Sequence, residues 1–129
     1  MGERQRIEIG QAVADVCAVV DEDGAPARMC TFEARPVTAT LPTVWVQVLA
    51  GSMNMHYPFA DDPEARLHAS GVFGTLKPVL IAWEANSYAT LDVEGVSPYD
   101  VAFVVDRIFT RILGCDDATY HPVASVEDL

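Results

Sequence analysis

Apolar residues recur first at helical spacing and then at alternating spacing. Ile9, Val13, Val16, Cys17 and Val20 fall every three or four positions, which predicts an amphipathic helix over about residues 4–20. Asp21-Glu22-Asp23-Gly24 ends it, with Gly24 suited to a left-handed turn. From Arg28 the period becomes two: Cys30, Phe32 and Ala34 alternate with Met29, Thr31, Glu33 and Arg35, as in an antiparallel strand covered on one face. Pro36 and Pro42 bound a Thr-rich link. A second strand at Val44–Leu49 follows, starting after Pro42 because proline cannot donate to a central ladder. Beyond the turn Ala50-Gly51-Ser52, Met53, Met55, Tyr57 and Phe59 alternate with Asn54 and His56. That is a third strand, and it closes a hairpin with the second.

The second half repeats these devices. Asp61-Asp62-Pro63-Glu64 combines an Asp cap, Pro at the first helical position and acid in the first turn, and Gly71 and Gly74 keep the helix short. Residues 78–86 and 87–94 form another hairpin around Ala85-Asn86-Ser87, with Ala89, Leu91 and Val93 on one face and Thr90, Asp92 and Glu94 toward water. Ser97-Pro98-Tyr99-Asp100 opens the last helix. Val101, Val104, Val105, Ile108, Ile112 and Leu113 make its apolar stripe, Asp106, Arg107 and Arg111 mark its wet side, and Gly114 stops it. The expectation is one α+β domain over residues 1–129, in the order α-β-β-β-α-β-β-α. It has a five-stranded, mainly antiparallel sheet with the first and last helices on one face. The ordered core covers about 4–114, and 115–129 is an irregular acidic tail.

Composition narrows the function classes. Half of the 129 residues are hydrophobic, enough for a core without staples. Eight Lys and Arg against 19 Asp and Glu give a net charge of −11, which repels phosphate backbones and anionic lipid, so neither nucleic acid nor membrane is expected as a partner. No apolar run reaches the roughly 18 residues of a membrane helix. The bases of Met1-Gly2-Glu3-Arg4-Gln5-Arg6 have no apolar stretch behind them, so no signal peptide is expected. Cys17, Cys30 and Cys115 are an odd, scattered set that reads as small hydrophobes in a reducing cytoplasm, not as a disulfide framework or metal site.

Candidate chemistry is thin. His56, His68 and His121 occupy separate elements and share no metal motif. Asp61, Asp62 and Glu64 lack the alternating ligands and mid-loop Gly of a calcium loop, and capping accounts for them. Asp92 and Glu94 share a strand face, but the polar one, so both are solvated and not tuned as an acid–base pair. Ser52, Ser70, Ser87 and Ser97 have no nucleophile-elbow context, and Gly71-Val-Phe-Gly74 no phosphate-cradle context. No enzyme activity, cofactor or metal is expected. The second and third strands do carry apolar side chains on more than one face. Trp45, Leu49, Met53, Met55, Tyr57 and Trp83 are the candidate partner-binding residues, methionine being well suited to surfaces that repack. Such an excess is expected to be buried by a peptide, by a second copy or by the chain's own tail. A homodimer closed through the sheet's second face or the short helix at 63–70 would satisfy it.

The order of elements resembles the type III secretion chaperone fold and its bacterial relatives, the YbjN-like and TY-Chap peptide-binding chaperone domains. The residues that carry the resemblance are Val44-Trp45-Val46-Gln47-Val48, Ser52-Met53-Asn54-Met55, the hairpin WEANSYATL and the helix SPYDVAFVVDRIFTRILG, within about residues 4–114. It implies a non-enzymatic domain, often dimeric, that binds an extended or helical segment of a partner protein. The alternatives are a small-molecule-binding domain or small enzyme with a pocket between sheet and helix, and a structural subunit of a larger assembly such as a phage or secretion particle.

Overall fold

In the computed structural model, residues 3–18, 22–37 and 43–129 are described. The chain runs α1 (Glu3–Cys17), β1 (Arg28–Ala34), β2 (Val44–Leu49), β3 (Ser52–Tyr57), α2 (Pro63–Ala69), β4 (Val79–Glu84), β5 (Ser87–Asp92), α3 (Pro98–Arg107) and β6 (Val123–Asp128). A π-helical turn, Ile108–Ile112, continues α3. Val20, Asp21 and most of the Thr-rich link lie outside the described residues.

The α+β class, the helices and the antiparallel hairpins agree with expectation, but the sheet has six strands and not five, in the order β4-β5-β3-β2-β1-β6. The sixth is made by the segment expected to be irregular: Val123–Asp128 pairs antiparallel with β1, from Arg28↔Asp128 to Glu33↔Val123. Every neighbouring pair is antiparallel.

Local signals set the boundaries. Asp62 accepts from the Glu64 N–H to cap α2, and the Ser97 hydroxyl oxygen accepts from the Asp100 N–H to cap α3, each with Pro next in the chain. Gly51 turns the first hairpin at φ +83°, where a Cβ would also run into the Glu94 carboxylate. Asn86, with φ +60°, turns the second.

The core lies between one sheet face and the α1–α3 pair. Phe32, Val46, Val48, Met53, Met55, Tyr57, Ala89 and Leu91 point into it from the strands. Ile9, Val13 and Val16 of α1 meet them, with Val101, Val104, Val105, Ile108 and Phe109 from α3 and its π turn. Each large buried side chain contributes roughly 1.5–3 kcal/mol relative to exposure. In the π turn the Leu113 N–H bonds the Ile108 carbonyl at 2.9 Å, and the wider turn keeps Ile108, Phe109, Ile112 and Leu113 all inward.

Asp106 is not on a wet face: it is only 4% exposed. The segment after Cys115 returns over α3, where the Tyr120 hydroxyl donates a short hydrogen bond to the Asp106 carboxylate. The Gln5 side-chain amide of α1 donates to the Tyr120 carbonyl at 2.8 Å, so helix, tail and β6 are tied at one buried point.

Candidate functional site

The six residues expected to form one partner-binding surface are split by the sheet. Met53, Met55 and Tyr57 are fully buried and belong to the core face, because Val46 pairs with Met55 and Val48 with Met53. They lie within the one hydrophobic core, together with residues of α1 and α3. Trp45 and Leu49 lie on the opposite face, half-buried. Trp83 is at the end of β4, partly exposed on the core side, where its ring meets Tyr57 edge-on at 6.2 Å.

The second face is polar as much as apolar. Register lines up Thr31, Gln47, Asn54 and Thr90 across four strands. The Thr90 hydroxyl donates to the Asn54 side-chain carbonyl at 2.6 Å, and the Gln47 amide donates to the Thr31 hydroxyl at 3.4 Å. Beside that row, Trp45 stacks on His56 with ring centres 5.5 Å apart and planes 7° apart. Cross-strand stacking therefore shields much of the indole that sequence alone left uncovered. His56 Nδ1 is buried with no hydrogen-bond partner, and burial pushes the imidazole pKa below its ordinary value, so the ring is neutral at pH 7.

An uncharged run of exposed apolar residues lies at one sheet edge. β4 pairs only with β5, and Val79, Ile81 and Trp83 are 60%, 59% and 39% exposed. Its register against β5 shifts between Leu80 and Ala82, a bulge that leaves Ile81 unpaired. No charge occurs from Pro78 to Trp83; Lys77 and Glu84 flank the run. Beside it lies a notch of about 190 Å³ lined by Leu67, His68, Phe73, Leu80 and Leu91.

The corner next to β4 is stiff. The Tyr57 hydroxyl donates to the Asp61 carbonyl at 2.9 Å, and Arg66 forks onto the Asp61 carboxylate while lying 3.8 Å over the Phe59 ring. The Arg66 hydrogen bonds hold the Asp61 carboxyl below its usual range. The Asn86 N–H bonds the Phe59 carbonyl at 2.8 Å, fixing the β4–β5 turn to the same corner.

A larger cavity of about 520 Å³ lies at the opposite end of the sheet, among Glu33, Arg35, Asp116, Tyr120, His121 and Val123. Three of its polar groups, Asp116, Tyr120 and His121, already have partners. The Asp116 carboxylate accepts the Ala118 and Thr119 N–H groups, which lower its pKa. Burial and the neighbouring Asp106 raise that of the Tyr120 phenol, and His121 faces Glu8 at 3.3 Å. The cysteines are unpaired, and burial pushes the Cys30 and Cys115 thiols up to about 11. Among the described residues, no three His, Cys, Asp or Glu gather as a metal site, and no helix is long and apolar enough to cross a membrane.

No protein-family model, curated protein or solved structure matches this chain.

Proposed function

We propose that the chain is a non-enzymatic protein- or peptide-binding module, chaperone- or adaptor-like, that takes an extended partner segment along the outer edge of β4. The observation that carries this reading is the exposure of Val79, Ile81 and Trp83 on a strand with one neighbour and no charge before Glu84. An edge of that kind offers unpaired backbone donors and acceptors, which an added strand satisfies. The notch beside Leu80, which mixes Leu67, Phe73 and Leu91 with Glu64 and His68, supplies a seat for an alternate side chain of that segment. The raised thiol pKa values of Cys30 and Cys115 suit inert cysteines in a reducing compartment such as the cytoplasm.

The test is selection of displayed extended peptides on the immobilised protein, followed by backbone amide shift mapping with each selected peptide. Shifts concentrated at residues 79–84, and affinity lowered about tenfold or more by Ile81→Lys, are expected. Failure to enrich any peptide, or a footprint centred on the cavity at Glu33 and His121, would overturn the reading.

A further inference from the structure

The ends of the β4 edge are charged in opposite senses. Lys77, the only lysine in the chain, precedes the strand, and Glu84 closes it; both are exposed. Among the described residues, neither makes an ion pair, although the chain as a whole is strongly acidic. Two copies of such an edge laid antiparallel place each lysine beside the other copy's glutamate. We propose that, without a client, the occupant of this edge is a second copy of the chain, joined β4 to β4 about a two-fold axis between Leu80 and Ile81.

The bulge is what makes this register possible. Pairing Lys77 with Glu84 also sets Val79 opposite Ala82 and Leu80 opposite Ile81. In a regular strand, residues an odd number apart point to opposite faces, so Val79 and Ala82 could not meet as a same-face pair. The shift between Leu80 and Ala82 inserts one residue. Val79, Ala82 and Glu84 then pair with Asp92, Thr90 and Tyr88 on one face, while Leu80 and Trp83 pair with Leu91 and Ala89 on the other. Charge match and face match therefore coincide in one arrangement, and Ile81 lands against Leu80 of the copy. Two short arms around a bulge bury little area, so the dimer is a weak one in the micromolar range, weak enough for a client strand to displace. Net repulsion between two acidic chains is damped beyond about 8 Å at physiological salt, whereas the contact pairs lie well inside that distance.

This inference rests on β4 being a pairing edge, and it has its own readout. A zero-length carbodiimide coupler joins an amine only to a carboxylate it touches. Within one chain Lys77 and Glu84 are separated by roughly 20 Å of extended backbone, so a coupled Lys77–Glu84 peptide pair found by mass spectrometry must link two copies. That product is expected at micromolar protein. In sedimentation, Lys77→Glu and Glu84→Lys alone should each weaken self-association about tenfold, and an equimolar mixture of the two variants should restore it. The doubly exchanged chain, whose net charge equals the parent's, should also associate normally. A monomer at every concentration, a dimer coupled elsewhere, or single exchanges without effect would overturn the proposal. If the dimer fails while selected peptides still map to β4, only the identity of the occupant falls. If the dimer forms and no peptide maps there, the binding-module reading falls instead.

Discussion

The two outer strands of this sheet solve the same problem differently. β6 is exposed at every position, Val123 and Val126 included, but small residues separate those two valines and the strand ends in Glu127 and Asp128. Asp128 pairs with Arg28 at 3.1 Å, and the Leu129 N–H bonds the Ala27 carbonyl at 2.9 Å, closing the strand onto its neighbour. Its approach is fixed by the buried Tyr120–Asp106 bond. β4, by contrast, leaves Val79, Ile81 and Trp83 exposed with no charge among them, and is steadied by Tyr57, Phe59 and the Asp61–Arg66 fork. Two adjacent acids at the end of β6, and the bonds that lock its terminus onto β1, discourage further pairing, whereas the uncharged run from Pro78 to Trp83 invites it. One edge is finished; the other is left open.

The largest effect expected from breaking this contrast is at the β6 side. Tyr120→Phe keeps the ring against Phe109 but leaves the buried Asp106 carboxylate without that donor. Loss of about 1–3 kcal/mol is expected in urea unfolding, because a buried acceptor is stripped of a partner. Amide exchange should quicken in β6 and β1 and stay unchanged in β4 and β5. An unshifted urea midpoint would mean that the tail is held by other contacts. At the β4 side, Tyr57→Phe removes the hydroxyl's bonds to the Asp61 carbonyl and carboxylate, both part-buried, so about 1 kcal/mol is expected, with faster exchange confined to the β4–β5 turn. Uniform acceleration across the sheet would show that the corner is no local support.

These two sides differ in how far the sequence reveals them. The hairpin turns at Gly51 and Asn86 and the caps at Asp62 and Ser97 depend on residues within a few positions, so local pattern finds them. The face assignment of Met53, Met55 and Tyr57 needs the register against Val46 and Val48, which alternation within one strand cannot supply. Asp106 looks solvent-facing by helical spacing and becomes buried only because a segment beginning ten or so residues later folds back over it. Val-Ala-Ser-Val-Glu-Asp has too little apolar content to announce a strand; the free edge of β1 makes it one. Nor can any single strand declare itself outermost, so the openness of β4 follows from strand order, and of its exposed residues only Trp83 was marked by sequence alone.

A smaller effect separates the sides by pH. With Arg66 holding its folded pKa down, Asp61 contributes stability that is present above the ordinary carboxylate range and lost as pH falls through the lowered value. Trp83 fluorescence in a Trp45→Phe background should therefore be flat from neutrality to about pH 5 and change only below about pH 4. Arg66→Ala should move that change upward. A transition near pH 6 would point to a histidine instead and remove Asp61 from the corner's support.

The smallest expected effect is kinetic and reads the β6 side without denaturing it. Cys30 sits on β1 next to the Ser125 backbone of β6, and Cys115 opens the returning segment; both are buried, while Cys17 on α1 is only half-buried. Burial raises all three thiol pKa values, and those of Cys30 and Cys115 reach about 11, so at pH 8 few native molecules present a reactive thiolate. A chromogenic disulfide reagent should consequently label Cys17 first and the other two only through opening of the structure. If β6 and the returning segment open as a unit held by Tyr120, then Tyr120→Phe should speed Cys115 and Cys30 together and leave Cys17 unchanged. Acceleration of Cys115 alone would show that the segment peels away while β6 stays paired to β1, placing the anchor of the finished edge in its ladder and not in the buried phenol.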